Sequence, residues 1–277
     1  MEDEWLRQTA RPLRPPRIDV NTPNVARVWN FLQGGKDNFD ADRKAARQLI
    51  KAAPVMEYAA RATRDFLRRT VCHLAGEAGI RQFLDVGTGI PISGNVHEIA
   101  QETEPACRVV YVDNDPVVLS HARALLQPGP GGTTSFVDAD ARNPELIIRR
   151  ARDTLDFSQP VGIVLTDLLN LVSRDAEART IVSALLDAAC RGSYMVVMHP
   201  ASDIDAELAD AARRWNKVAT LPVTLRRKDE IAAWFTGLDV IEPGIVPVTQ
   251  WRPGPDDGEY SPDMPLYGLV AREPLPR

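Results

Sequence analysis

The sequence predicts an α/β protein with a doubly wound sheet of seven strands and a helical N-terminal extension. From residue 82 onward, short continuous apolar runs alternate with segments of helical periodicity. This is the pattern of parallel strands that are buried on both faces and joined by helices. Before residue 82, apolar residues recur only at helical spacing.

The N-terminal part is predicted to hold an irregular arm, residues 1–22, and a helical extension, residues 23–78. The arm is rich in Arg and Pro and shows no apolar periodicity. In the extension, a first helix carries Val25 and Trp29 and ends at Gly34-Gly35. Further helices are expected at 40–51 and 56–76.

Residues 79–277 are predicted to form one Rossmann-like domain. Its strands are expected at 83–86, 109–112, 135–137, 161–165, 194–198, 238–241 and 266–271. Its helices are expected from the first strand to 103 and at 116–126, 143–151, 175–190 and 227–236.

The composition argues against several classes of protein. The 277 residues carry 33 Lys and Arg against 38 Asp and Glu, a net charge of −5, and we therefore expect no nucleic-acid partner. No window of about 18 apolar residues predicts a membrane span, and the acidic first residues predict no secretion signal. We expect a cytoplasmic protein. The three cysteines form no CxxC pair, so neither a disulfide framework nor a metal site is predicted.

A ligand site is predicted where the first strand ends, because ligands of open parallel sheets bind beyond the carboxyl ends of the strands. Asp85 precedes Gly87, Thr88 and Gly89, and the two glycines let the backbone approach a ligand closely. A tight strand-to-helix turn would explain the same glycines.

Acids also follow the second and third strands. Asp113 is placed to accept hydrogen bonds from both hydroxyls of a ribose, while Asn114 or Asp115 before Pro116 fits a helix cap. Asp140 is placed to accept from an adenine amino group, although a solvated turn acid would look the same. Three such acids favour a ligand with adenine, ribose and a cationic end.

That ligand is predicted to be S-adenosylmethionine rather than NAD. After Gly87 and Gly89 the next glycine is Gly94, two positions too late for the dinucleotide fingerprint. Asp85 would repel a pyrophosphate but would favour the amino group of S-adenosylmethionine.

Four segments resemble a bacterial family of S-adenosylmethionine-dependent methyltransferases once catalogued as a domain of unknown function. The segments are 31–39, 81–91, 95–98 and 110–116, and the resemblance spans about residues 18–274. It implies a class I methyltransferase fold, in which 266–271 is an antiparallel strand of an otherwise parallel sheet.

The resemblance also implies roles for individual residues. It places Asp85, Gly87 and Gly89 around the methionine part of the cofactor, Asp113 at the ribose, and Asn114, Asp140 and Ala141 at the adenine. Two positions depart from the family pattern: Thr63 stands where Asn is usual, and Asn170 stands where His is frequent. The second departure puts a shared catalytic base at that position in doubt.

Two predictions concern the helical extension. The turn 34–39 would act as a lid over the cofactor, with Lys36 touching its amino-acid end or the substrate, or it would simply end one helix and cap the next. Arg64 would bind the cofactor carboxylate through its guanidinium, unless it lies on a solvated helix face.

The expected reaction is in-line attack by a small-molecule O or N acceptor on the sulfonium methyl. His199 and Asp167, at the ends of the fifth and fourth strands, are the candidate bases, although a structural role fits His199 equally well. The segment 166–169 lacks the motif with which amino methyltransferases bind a flipped base. A cofactor-binding regulatory protein without catalysis is the alternative, and an NAD-dependent oxidoreductase is a weaker one.

Overall fold

The computed structural model describes residues 18–219, 221–255 and 257–274. Most of the predicted arm, residues 1–17, therefore lies outside the described residues. Residues 18–24 form bends and extended backbone, and the first helix begins at Val25.

The described chain alternates helices and strands as predicted. The helices are α1 (Val25–Leu32), α2 (Asp40–Ala52), α3 (Met56–Cys72), α4 (Val96–Thr103), α5 (Pro116–Leu125), α6 (Pro144–Ala151), α7 (Asp175–Asp187), α8 (Ala206–Trp215) and α9 (Lys228–Ala232). The strands are β1 (Gln82–Val86), β2 (Arg108–Asp113), β3 (Thr133–Asp138), β4 (Gly162–Thr166), β5 (Tyr194–Pro200), β6 (Asp239–Val240), β7 (Val246–Pro247) and β8 (Leu266–Arg272). A π-helical turn (His73–Glu77) and 3₁₀ turns at Leu169–Leu171, Ala233–Phe235 and Val248–Gln250 complete the elements.

The sheet is mostly parallel, with antiparallel strands at its C-terminal edge. The strand order is β3-β2-β1-β4-β5-β8-β6, and β7 also pairs with β8. Strands β1 to β5 run parallel to their neighbours, whereas β8 runs antiparallel to β5. Helices flank both faces, so the predicted class I methyltransferase architecture is confirmed.

Two details differ from the prediction. The strand expected at 238–241 is two residues long, and β7 pairs with β8 beyond it, because Pro243 and Gly244 (φ +90°) break the edge between them. Helix α8 was not predicted, although Leu208, Ala211 and Ala212 recur at helical spacing and form its buried face. Asp205 begins α8 by accepting from the N–H of Glu207 at 2.7 Å.

The helical extension packs against the sheet rather than standing apart from it. Phe66 of α3 is fully buried in the core beside β8, and a Cβ on Gly268 would lie 2.6 Å from its ring. Helix α1 is attached to α2 by a buried ion pair of 2.9 Å between Arg27 Nε and Asp42 Oδ2. These contacts hold α1 over the carboxyl ends of the central strands. None of the described helices combines the length and apolar character that crossing a bilayer requires.

Candidate cofactor cleft

A cleft lies at the carboxyl ends of β1 to β4 and is covered by α1 and α3. Nine of the residues predicted to bind the cofactor or to act in catalysis line this cleft: Gly87, Thr88, Gly89, Asp113, Asn114, Asp140, Ala141, Arg64 and Asp167. These residues come from five separate stretches of the chain. The sheet topology therefore brings them to one place.

The glycine loop after β1 is shaped by its backbone. Gly87 and Gly89 have φ values of +80° and +68°, a region that favours glycine. A Cβ on Gly87 would lie 2.8 Å from Leu168 Cδ1, whereas a Cβ on Gly89 would meet no described atom within 4 Å. Gly87 is therefore needed for close packing, and Gly89 leaves open space in the cleft. The predicted alternative of a tight turn and the predicted close approach to a ligand both fit this loop.

Asp113 is held rigidly at the end of β2. Its Oδ2 accepts from the N–H of Gly89 at 3.1 Å and its Oδ1 from the N–H of Asp115 at 2.8 Å. Burial raises the pKa of Asp113, and these backbone hydrogen bonds oppose the shift. Each carboxylate oxygen keeps a second lone pair for a hydroxyl donor. Asp115, by contrast, begins α5 by accepting from the N–H of Val117 at 2.8 Å, as the capping interpretation predicts.

Asp140 is already engaged by neighbouring side chains. It accepts from Arg142 Nη2 at 2.6 Å and from Asn114 Nδ2 at 3.1 Å. The Arg142 side chain is the main cause that lowers the pKa of Asp140, so this carboxylate stays ionised. The N–H of Ala141 donates to no other described residue and lines the same end of the cleft. This end therefore offers one backbone donor and one carboxylate acceptor.

Asp85 does not line the cleft but lies buried beneath the glycine loop. Burial raises the pKa of Asp85 to about 7, although the Arg64 charge lowers it. Arg64 reaches into the same region from α3, and its Nη2 donates to the carbonyl oxygens of Ser93 and Gly94. Its Nε and Nη1 bond to no other described residue, so they are available to an anionic group in the cleft.

The structure does not bring Lys36 to the cleft. Its side chain is exposed and is not among the lining residues, because the 34–39 turn packs back on α1 instead. Gly35 N–H donates to Asn30 O at 2.8 Å, and Asn38 Nδ2 donates to Asn30 Oδ1 at 2.8 Å. The turn ends α1, as the structural interpretation predicts, while α1 itself covers the cleft. Asp42, rather than the turn, caps α2 by accepting from the N–H of Phe39 at 2.8 Å.

His199 is also absent from the cleft, so the expectation that it projects near the mouth is not met. Its side chain is fully buried. Nδ1 donates to Pro200 O at 2.9 Å, and Nε2 lies 3.0 Å from Arg226 Nη1, which can only donate. Burial lowers the pKa of His199 to about 3, and the Arg226 charge adds to the shift. His199 is therefore a neutral acceptor in a structural network.

Asp167 is the titratable group that the structure places at the bottom of the cleft. It has a φ of +55°, which is uncommon for a residue other than glycine and marks a constrained position. Burial raises the pKa of Asp167 to about 7, while hydrogen bonding from the side chains of Trp29 and Asn170 opposes the shift. A carboxyl group with such a pKa can accept a proton near neutral pH.

Several lining residues were not predicted as site residues. Asn24, Gln33 and Arg142 contribute to the cleft, and Thr63 lines it while its hydroxyl bonds to Ala59 O in its own helix. No motif marks Asn24 or Gln33, because they reach the cleft only through the packing of α1. Arg142 follows Asp140 by two residues, so an ion pair between these two side chains was the one local signal that could have placed Arg142 at the cleft.

The comparisons with known proteins agree with this geometry. The family model described as S-adenosyl methyltransferase matches residues 12–274. The chain belongs to the S-adenosyl methyltransferase family. Among curated proteins, none matches the chain.

Solved structures place the same chain beside two close relatives. A DUF574 family protein from Streptomyces avermitilis MA-4680 is 41% identical, with 93% of this chain and 100% of that chain covered and a TM-score of 0.89. A "putative methyltransferase" from Thermobifida fusca YX is 37% identical, with 95% and 100% covered and a TM-score of 0.86. Mitomycin 7-O-methyltransferase MmcR, 15% identical with 89% and 60% covered and a TM-score of 0.50, shares the fold.

Proposed function

We propose that the cleft binds S-adenosylmethionine and that the protein transfers its methyl group, in line, to an O or N atom of a small molecule. The observation that carries this proposal is the convergence of the glycine loop, Asp113 and Asp140 on one cleft that α1 covers. Family membership supports the reaction type. The cofactor supplies an activated methyl group when bound, and the protein supplies alignment and a cavity shielded from water.

The residues present fit this cofactor at three points. Asp113 would accept from the ribose hydroxyls through the lone pairs that the backbone leaves free. The Ala141 N–H and the Asp140 carboxylate would bind the donor and acceptor atoms of the adenine edge. At the other end, Arg64 would bind the carboxylate of the amino-acid part, and Asp85 would stabilise its ammonium group.

A small-molecule acceptor fits the chain better than a nucleic acid. The net charge of −5 gives no electrostatic attraction to a phosphate backbone. A protein that binds the cofactor for regulation alone does not require a carboxyl group with a raised pKa in the cleft. Asp167 is such a group, and it favours the enzyme over the regulatory alternative.

Calorimetry with S-adenosylmethionine, S-adenosylhomocysteine and NADH tests the cofactor assignment. We expect the two sulfur compounds to bind and NADH not to bind. In Asp113→Ala, affinity should fall by more than tenfold, because a buried hydrogen bond to a charged acceptor contributes about 1.5–3 kcal/mol. Asp138→Ala is the matched control, since Asp138 pairs with Asp113 in the sheet but is exposed and outside the cleft. Binding of NADH alone, or equal affinities for both variants, would refute the assignment.

Catalysis is tested separately by methyl release from labelled cofactor across a panel of hydroxyl- and amine-bearing metabolites. A product that carries the label establishes an enzyme. Tight cofactor binding without transfer to any member would instead favour the regulatory alternative.

A further inference from the structure

A second cavity, called here the apolar chamber, lies beside the cofactor cleft. It is lined by side chains of α1, α2, α3 and α8, by Pro200 and Leu266 at strand ends, and by Val223 and Leu225. Its walls include Val28, Leu32, Leu49, Met56, Leu208 and Trp215. Such a surface favours an apolar ligand of limited size.

The chamber and the cleft share a boundary. Val25, Trp29 and Asp167 line both cavities. For a ligand in the apolar chamber, the end nearest to Asp167 would therefore face the cleft. This is where an acceptor must reach a methyl group held in the cleft.

Among the side chains that line the chamber, only Asp167 and Asn170 carry a carboxyl or carboxamide group. Asn170 is 2% exposed, and its Oδ1 has no hydrogen-bond partner among the described residues. A buried oxygen without a donor is rare in folded proteins and needs an explanation. A hydrogen-bond donor on a ligand would satisfy it.

The orientation of the Asn170 amide follows from its neighbour. The Asn170 side chain lowers the pKa of the Asp167 carboxyl, which is the effect of an amide nitrogen that faces the carboxylate. The reversed amide would set two acceptor oxygens against each other. Oδ1 is therefore the atom left for a ligand.

We propose that the apolar chamber is the acceptor subsite and takes an uncharged, mainly apolar molecule with two neighbouring hydroxyl groups, one for Asp167 and one for Asn170 Oδ1. This inference rests on the proposed function and names its substrate class. An ammonium group would lose its hydration among apolar walls, and a carboxylate would face two acceptors without a donor. A neutral diol or catechol supplies one donor to Asn170 Oδ1, which has no partner among the described residues, and a second donor to the Asp167 carboxylate.

In the reaction, Asp167 takes the proton of its hydroxyl as the hydroxyl oxygen forms a bond to the methyl carbon. The bond between that carbon and the cofactor sulfur breaks, and its electron pair stays on sulfur, which becomes a neutral thioether. The second hydroxyl remains on Asn170 and orients the first. Charge is conserved, because the sulfonium cation and the carboxylate both become neutral.

Fluorine NMR titration of the full chain without cofactor tests the subsite, with 4-fluorocatechol, 4-fluorophenol, 4-fluorotoluene and 4-fluorobenzylammonium as probes. We expect the catechol to bind at least fivefold tighter than the phenol and the phenol at least fivefold tighter than the toluene derivative. In Asn170→Leu, the catechol should lose its advantage over the phenol. Equal binding of catechol and phenol by the unchanged protein, an advantage that survives Asn170→Leu, or tightest binding of the ammonium probe would overturn the proposal.

Ala212→Phe locates the binding site. Ala212 lines the chamber but not the cleft, so the larger ring should abolish binding of all neutral probes and leave the affinity for S-adenosylmethionine unchanged. Ala206→Phe is the matched control on an exposed position of the same helix. Probe binding that persists in Ala212→Phe would contradict the location. Since probe binding is measured without cofactor, failure of the subsite and failure of the cofactor assignment are distinguishable.

Discussion

The cofactor cleft and the apolar chamber are neighbours, yet the chain builds them in different ways. The cleft consists largely of the turns that follow β1, β2, β3 and β4, so each polar group lies within a few residues of a strand end. The chamber collects side chains from Val25 to Leu266 and has no local motif. A site built from strand ends follows from the order of strands, whereas a site built between helices depends on how those helices pack.

The two cavities also differ in charge, and they meet at one segment. The cleft carries several carboxylates and the guanidinium group of Arg64, while the carboxyl and carboxamide groups of the chamber belong to Asp167 and Asn170 alone. Leu171 and Val172 line the cleft, and Asn170 lines the chamber. The segment 167–172 is therefore their common wall.

Substitution of Arg226 should disrupt the common wall of both cavities and cause the largest loss of stability. Its side chain is buried and donates to Leu169 O at 3.0 Å and Val172 O at 2.7 Å, and Nε lies 3.4 Å from Asp175 Oδ1. Arg226→Leu should reduce the free energy of unfolding by about 3–5 kcal/mol, because it leaves buried acceptors without donors. Urea denaturation measures this loss.

Arg227→Leu is the control for Arg226→Leu. Arg227 is the next residue, is exposed and pairs with Asp229 on the surface. Its substitution should change stability by about 0.5 kcal/mol or less. Equal losses in the two variants would show that the buried carbonyls do not depend on Arg226.

Substitutions of the two cleft glycines distinguish an effect on packing from an effect on the space available to a ligand. Gly87→Ala places a Cβ against Leu168 at a positive φ, so we expect a loss of about 2–4 kcal/mol in unfolding free energy. The added Cβ in Gly89→Ala meets no described atom within 4 Å, so only backbone strain of about 1–2 kcal/mol should lower its stability. Its added methyl group enters the cleft, so its affinity for S-adenosylmethionine should fall by tenfold or more. Unchanged affinity in Gly89→Ala would place the cofactor elsewhere.

The pH dependence of cofactor binding should reveal Asp85. Burial raises its pKa to about 7, so the carboxylate proposed to stabilise the ammonium group of the cofactor is lost as pH falls through 7. Affinity for S-adenosylmethionine should be about tenfold weaker at pH 6 than at pH 8. Asp85→Asn should bind weakly at both values, and calorimetry in matched buffers measures the difference. A pH dependence that persists in Asp85→Asn would assign it to another group.

The titration of Asp85 should affect the stability of the free protein in the opposite direction to cofactor binding: stability should fall as pH rises. The folded pKa is above the unfolded value of 3.8, so its stabilising contribution is complete below 3.8 and disappears as pH rises through 7. Asp85→Asn should therefore raise the melting temperature of the free protein more at pH 8 than at pH 5. Thermal unfolding at the two pH values, compared with Asp138→Asn, measures this shift. A melting temperature that rises equally at both values would contradict the buried charge.

Lys36→Ala should have the smallest effect. The side chain is exposed and outside both cavities, so its removal should change cofactor affinity by less than about twofold. Calorimetry beside the unchanged protein is the measurement. A tenfold loss would restore the predicted lid role of the 34–39 turn.

Sequence reasoning located cleft residues where their position follows from local order. The glycine loop, Asp113 and Asp140 could be located because each follows an apolar strand, and parallel strands end at the same edge. It failed for His199 and Lys36, since residue type and position do not reveal which way a side chain packs. It missed α8, although the buried residues Leu208, Ala211 and Ala212 of that helix recur at helical spacing.

The sequence by itself determined the alternation of strands and helices, the family and the polar groups at the strand ends, because these depend on neighbouring residues and on regular backbone geometry. Only the tertiary structure decided that α1 covers the cleft, that Asp167 separates it from an apolar chamber, and that Asn170 Oδ1 is left without a donor. Those outcomes depend on long-range packing, in which residues far apart in the chain compete for the same space and the same hydrogen-bond partners.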